Sequence, residues 1–309
     1  MIGLRRHGVI MSPGKTGLGD ALFNPGIVQD NAGIHMLFRI ADGDFGSRGY
    51  VSTIGYARLS EPTRVVELRE TPLIAPTLPE ESAGCEDCRI VSLDHQYYLF
   101  YTAYDGQTAR VAVASTLDFT NITKLGVLLF DHWDKDAFIF PGRINGKIAY
   151  MHRIEPSIQL LMVDTIEELL DVRSHPWEAH LKAIGQETVL RPTYAWEVLK
   201  IGAGPPPLQT EAGWLLIYHG VDRHSVYRVG AALLDQDDPY RVIARLPYPI
   251  LEPIEEYERV GDVPNVVFPQ GLTVIDDVLY VYYGAADKVI ALASIKVTEL
   301  IDELNRHQT

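Results

Sequence analysis

A chain of 309 residues with 41 Asp and Glu against 27 Lys and Arg carries a formal net charge of −14. That balance argues against nucleic acid or an anionic membrane surface as a partner, and no run approaches the ~20 apolar residues that cross a bilayer. An apolar share of 47% argues against disorder, while Cys85 and Cys88 alone exclude a disulfide scaffold and fit a reducing cytoplasm, the compartment expected here.

Residues 1–15 hold Arg5 and Arg6 but no apolar stretch after them, so they do not read as a signal peptide. Beyond them, segments 34–40, 51–58, 88–92, 97–103, 109–115, 137–140, 147–153, 159–163, 213–219, 227–234, 266–274, 278–284 and 289–295 predict strands. Most are short, rich in Val, Ile and Tyr, and bounded by Gly, Pro, Asp or Asn. Asp94-His95-Gln96 and Asn145-Gly146 read as hairpin turns. Segment 163–172 fits a short helix or a turn. Only 298–306, with Leu300, Ile301 and Leu304, has helical spacing.

Five times an apolar run ends in an aromatic or His before a polar loop: 38–42, 101–105, 151–155, 218–222 and 282–287. The first members lie 63, 50, 67 and 64 residues apart. A strand-built unit recurring at this period is the mark of radial repetition. The expectation is an all-β, five-bladed β-propeller, a single domain over residues 1–309 with a short C-terminal helix. A β-sandwich is the alternative, and the long, fairly even period argues against it. In a ring, corresponding loops converge, so polar residues far apart in the chain meet.

The starts of the repeats carry those polar groups. They are Asn24 in Phe23-Asn24-Pro25-Gly26, Glu86 and Asp87 in Cys85-Glu86-Asp87-Cys88-Arg89, Lys135 and Asp136 ahead of 137–141, Lys200 ahead of Ile201-Gly202-Ala203-Gly204, and Asn265 ahead of Val266-Val267-Phe268. The strand ends add Arg39, Arg153, His219 and Asp287. Each has an ordinary reading when taken alone. Asp87 suits a turn, Arg153 and Lys200 suit surface ion pairs, Lys135 suits a solvated turn from Asp131 to Asp136, and His219 and Tyr227 suit a packed core. Cys85 and Cys88 have the spacing of half a zinc site, but nothing completes it, so no metal is expected. Gly202-Ala203-Gly204 lacks the Gly-Lys-Ser/Thr and the helix of a phosphate loop, and no Gly-x-Ser-x-Gly elbow is present. Trp133, Trp196 and Trp214 suit sugar stacking or packing equally.

These runs, with 213–221, 230–235 and 282–287 in the same order, resemble glycoside hydrolase family 130 over about residues 20–296. That family holds β-mannoside phosphorylases and a smaller set of β-mannosidases on a five-bladed β-propeller. The resemblance implies that Asp87 is the general acid and that Asn24, Arg39 and Asp287 surround the mannosyl residue. It also implies that Lys135, Arg153, Lys200, His219 and Tyr227 hold phosphate. Cys88 replaces the family's Pro after the acid. Lys135 stands where several phosphorylases have Arg, which keeps the charge and loses the bidentate fork. Asp136 and Glu197 are spare acids nearby in sequence, and Asp136 is counted with the substrate-binding residues.

The chemistry of the two activities differs. Phosphorolysis needs one acid and several cations to orient a dianion. Inverting hydrolysis needs a second carboxylate about 6.5–9.5 Å from the first. Three cations favour phosphate. The expected activity is an inverting phosphorylase that cleaves short β-mannosides to α-mannose 1-phosphate, with inorganic phosphate as cosubstrate and no cofactor. An inverting β-mannosidase and a non-catalytic carbohydrate-binding propeller are the alternatives. The expected partners are a small oligosaccharide and phosphate, with a homo-oligomer left open. Linkage and acceptor are assigned to loops 42–50, which includes Arg48, and 74–83.

Overall fold

The computed structural model describes every residue except Met1, Arg48 and Asp131, so the expectations that touch Arg48 and Asp131 lie outside the described residues. Short β-branched and aromatic runs separated by tight turns satisfy their backbone by pairing with the next run. The chain does this throughout and is all-β. The first unit is Ala21–Asp30, Gly33–Asp42, Val51–Glu61 and Arg64–Leu68. The second is Gly84–Leu93, Gln96–Tyr104, Ala109–Thr116 and Thr123–Val127. A single parallel pairing, Ser52 with Gly84, joins these two into one sheet. The third is Lys135–Ile139, Ile148–Arg153, Ile158–Val163 and Thr188–Leu190.

In the fourth unit the first strand is split into Lys200–Ala203 and Leu208–Thr210. Both pieces pair with Gly213–Val221, which is followed by Tyr227–Leu234 and Val242–Arg245. The fifth is Val267–Ile275, Val278–Ala285 and Val289–Lys296, and its fourth strand is Arg5–Met11 from the other end of the chain. The five repeated runs are the ends of the second strands, one in each unit.

A recurring bulge shapes the first strands. One extra residue intervenes between Phe23 and Gly26, between Glu86 and Arg89, and between Lys135 and Phe138. Asn24, Asp87 and Asp136 occupy these points with φ of 49°, 55° and 55°. Asn and Asp enter this left-handed region more readily than other side-chain-bearing residues, and a bulge re-aims a side chain. Backbone geometry and chemistry thus ask for the same residue types.

A buried glutamate fastens three units in the same way. Glu81 accepts the Thr77 and Leu78 N–H groups and the Tyr101 hydroxyl, and pairs with Lys124 at 2.6 Å. Glu197 accepts from Thr193, Tyr194 and the Tyr218 hydroxyl, and pairs with Arg245 at 2.6 Å. Glu258 accepts from Ile254, Glu255 and the Tyr283 hydroxyl, and pairs with Arg6 at 2.8 Å. Each tyrosine comes from a second strand and each cation from a fourth strand, so part of the tyrosine repeat in the sequence is structural. Glu197, expected as a spare acid near the site, is one of these fasteners, with both oxygens engaged and no place in the cavity lining.

The C-terminal helix forms over Val297–Asn305 and buries Leu300 and Leu304 against the fifth unit. Two helices sit between the third and fourth strands of the third unit. Ile166–Leu170 lies in the segment left open between helix and turn, and His175–Lys182 was not anticipated. The second buries only Trp177 and His180, too few positions to show a helical stripe. Cys85 and Cys88 are unpaired thiols in the core of the second unit, and burial pushes both up. Among the described residues, no helix is long and apolar enough to cross a membrane.

Candidate active site

All the residues that the resemblance places at the site except His219 line one cavity of about 220 Å³, together with Asp136, whereas Glu86, Asn265 and Glu197 do not. Strand register explains the gathering. Phe23 faces Arg39 and Lys135 faces Arg153, so both arginines sit opposite the residue that precedes a bulge. Lys200 faces Val221, which also pairs with Tyr227. His219 lies one layer deeper, with its ring stacked 5.8 Å from that of Tyr227 and 4.5 Å from that of Phe268. Its Nε2 is 3.4 Å from Arg153 Nη1.

On one side stands Asp87. Asn24 Nδ2 donates to Asp87 Oδ1 at 2.9 Å, and Arg39 Nη1 lies 3.5 Å from the same oxygen. Arg39 is held by Glu86 at 2.8 Å and by the Ser52 hydroxyl at 2.7 Å. Glu86 also meets Lys135 at 3.2 Å. Burial raises the Glu86 carboxyl, but Arg39 and Lys135 outweigh it and hold the group low.

Arg89 lies beneath, fully buried. It donates to the carbonyls of Gly204 (2.8 Å), Ala203 (3.1 Å) and Asp87 (3.2 Å) and to Asp136 Oδ1 at 2.9 Å. Asp136 Oδ2 in turn sits 2.9 Å from Arg153 Nη1. Burial pushes Asp136 up, yet Arg153 and Arg89 overcome it and hold the carboxyl far below the usual range. Asp136 is therefore a fixed anion that orients Arg153. Gly202 makes room for it, because a Cβ there would stand 2.2 Å from Asp136 Oδ2 and 2.4 Å from the His219 ring. Burial, followed by Arg153, Arg89 and Lys200, outweighs Asp136 and lowers His219 to about 3, so its imidazole is neutral.

On the other side are Arg153 and Lys200. Lys200 Nζ donates to Glu155 at 2.8 Å, and Arg153 Nη2 is 3.6 Å from the same oxygen. Arg153 Nε is buried and has no hydrogen-bond partner among the described residues. The Arg153 backbone N–H donates to Asp134, whose other oxygen takes a 2.9 Å hydrogen bond from His152 Nδ1. His152 Nε2 lies 2.9 Å from His180 Nε2, within hydrogen-bond reach. Glu155, Asp134, His152 and His180 were not picked out from the sequence. Glu155 had one signal, its place at the end of a repeated run directly after Arg153.

Asp287 is partly buried beside Arg39. Burial pushes it up to about 7, with Arg39 opposing and Asp87, Glu86 and Asp262 adding to the rise. An acid whose folded pKa exceeds its unfolded value retains protons that the unfolded chain has lost. Stability should therefore fall between about pH 4 and 7 and level off above. Asp287→Asn is expected to remove this decline and to stabilise the fold at pH 8 by on the order of 4 kcal/mol. Urea unfolding at pH 5 and pH 8 measures it, and an unaltered pH slope in the variant would refute the assignment.

A second cavity of about 710 Å³ adjoins the first and shares Arg39, Trp133 and Lys135 with it. Phe45, Tyr50 and Tyr104 add aromatic walls, and Gly46 and Ser47 extend the lining from the same loop as Phe45 and Tyr50. Of the three tryptophans considered, Trp133 reaches this space. Trp214 lies in the core and Trp196 packs on Tyr218.

Known proteins share this architecture. Residues 5–306 match the family profile described as beta-1,4-mannooligosaccharide phosphorylase. The chain is 37% identical over 286 residues to a 1,2-beta-oligomannan phosphorylase of Thermoanaerobacter sp. (strain X514), with 91% of each chain covered. It is also 37% identical over 294 residues to a beta-1,2-mannobiose phosphorylase of the same strain, with 90% of each covered. Among solved structures it is similar to beta-1,2-mannobiose phosphorylase from Listeria innocua in complex with beta-1,2-mannobiose. The TM-score is 0.82 at 26% identity, over 99% of this chain and 100% of that one. A profile match spanning nearly all the strands, together with relatives covered almost end to end, establishes that the chain belongs to glycoside hydrolase family 130.

Proposed function

We propose that this protein is an inverting mannoside phosphorylase acting on short β-1,2-linked mannosides, with inorganic phosphate as cosubstrate and no other cofactor. The observation that carries the reading is the sharing of one cavity by Asp87 and the cations Lys135, Arg153 and Lys200. The names of the 37%-identical relatives support the linkage. In the same reading the five meanders are the five blades of a propeller and form a single domain around the cavity.

Phosphate, held by Arg153 and Lys200, attacks the anomeric carbon of the non-reducing mannosyl unit. The glycosidic bond breaks on the opposite face, and its oxygen takes the Asp87 proton, directly or through a sugar hydroxyl. The products are α-mannose 1-phosphate and the shortened sugar. Asn24, Arg39 and Asp287 position the mannosyl ring. Neutral His219 and Tyr227, pushed up to about 12 by burial against the pull of Arg153, contribute hydrogen bonds rather than charge. The aromatic second cavity receives the leaving part of the substrate. Asp136, held as an anion between two arginines, is a poor base for water. Glu155 is the one observation that favours an inverting β-mannosidase, since it is an ionised, half-exposed carboxylate on the phosphate side.

The reading is tested by incubating the protein with β-1,2-mannobiose, with and without inorganic phosphate. Mannose 1-phosphate formed only with phosphate, seen by ³¹P NMR, is the expected result. Two equivalents of free mannose released without phosphate would establish hydrolysis instead.

A further inference from the structure

We propose that Glu155 acts as a stand-in for phosphate: its carboxylate occupies the anion seat between Lys200 and Arg153 in the free enzyme, and phosphate must displace it to bind. The inference rests on the phosphorylase reading above and adds to it a residue that sets phosphate affinity.

Three observations lead there. The first is contact. One Glu155 oxygen lies 2.8 Å from Lys200 Nζ and 3.6 Å from Arg153 Nη2, bridging the two cations that a phosphate would bridge. The second is charge. At the seat itself, Arg153 is already paired with Asp136, and Arg153 and Lys200 both meet the Glu155 carboxylate. A phosphate dianion placed between the same two cations meets that carboxylate at close range, and like charges in a partly desolvated site repel strongly. One carboxylate must give way.

The third observation identifies which one. Asp136 is locked between Arg89 and Arg153 with its side chain 3% exposed, and Asp287, partly buried, is pushed up to about 7 and so carries little charge to displace. Asp87 is the proton donor. Glu155 follows the strand Ile148–Arg153, and its side chain is 49% exposed, so it can swing into water without unfolding anything. Lys200 and Arg153 overcome its partial burial and keep it ionised, so the seat is filled by a charged group. A single carboxylate charge yields to a dianion with three acceptor oxygens more readily than to a monovalent anion, so the exchange favours phosphate over chloride.

The test uses Glu155→Gln, which keeps the shape and removes the charge, with Glu155→Ala as a second variant. Inorganic phosphate is titrated into each protein by calorimetry, and KM for phosphate is measured at saturating β-1,2-mannobiose. Both variants are expected to bind phosphate about tenfold more tightly and to show a matching fall in KM for phosphate, with KM for mannobiose unchanged. Unchanged or weaker phosphate binding by both variants, in the presence of normal phosphate-dependent turnover by the wild type, would overturn the inference and leave the phosphorylase reading standing. Loss of a phosphate-independent hydrolysis in the variants would overturn it by making Glu155 a base. A wild-type protein that neither binds phosphate nor responds to it would remove both.

Discussion

Asp87→Asn is expected to lower kcat on β-1,2-mannobiose by about a thousandfold, within the range that a positioned general acid contributes. The substitution is close to isosteric. Asn also tolerates the left-handed backbone that Asp87 adopts, with φ of 55°. The Asn24 amide still finds a side-chain oxygen to donate to, as it does now at 2.9 Å. Folding should therefore be intact, with a thermal midpoint close to that of the wild type. The loss should depend on the leaving group. A dinitrophenyl β-mannoside departs without protonation, so the variant should recover most of its rate with that substrate. An equal loss on both substrates would mean that Asp87 binds sugar and does not deliver a proton.

Arg89→Met is expected to destabilise the protein by about 3–5 kcal/mol, the usual cost of removing one partner from a buried ion pair. Arg89 joins the first strands of three units. It bonds to Asp136, to the Gly204 and Ala203 carbonyls, and to the Asp87 carbonyl just behind the acid. Methionine fills much of the volume but leaves the Asp136 charge with Arg153 as its remaining close arginine. Urea unfolding should show the midpoint fall. Arg89→Lys should restore only a part, because an ammonium cannot spread donors over four acceptors held in different directions. Adding Asp136→Asn to Arg89→Met should recover stability, since it removes the stranded charge. Simple additivity of the two losses would show that the pair is not coupled.

The second and third strands of every unit were legible in the sequence because they are long, apolar and ended by turn residues. The fourth strands were not. Arg64–Leu68 and Thr123–Val127 lie at sheet edges, with no residue fully buried, and such short, partly exposed runs read as loop. The first strand of the fourth unit hides behind Gly204-Pro205-Pro206-Pro207, which splits it in two. At the site, the residues named through family resemblance met in one cavity with His219 just beneath. What stayed invisible were contacts that only the fold creates, such as Arg89 with Gly204, 115 residues apart. Glu197 misled for a related reason: an acid in a short turn ahead of a first strand looks alike whether it caps backbone or faces substrate.

The pairing of Arg5–Met11 with Val289–Lys296 bears on how the molecule assembles. Arg6 reaches Glu258 across 252 residues, whereas the strands within each of the first four units come from neighbouring sequence. Those four can assemble as they leave the ribosome, but the fifth waits for nearly the whole chain. The opening strand therefore spends synthesis unpaired, and its docking, an encounter between the two most distant parts of the sequence, comes late. Until then two sticky edges stay open together, and that interval is when one copy is most apt to snare another.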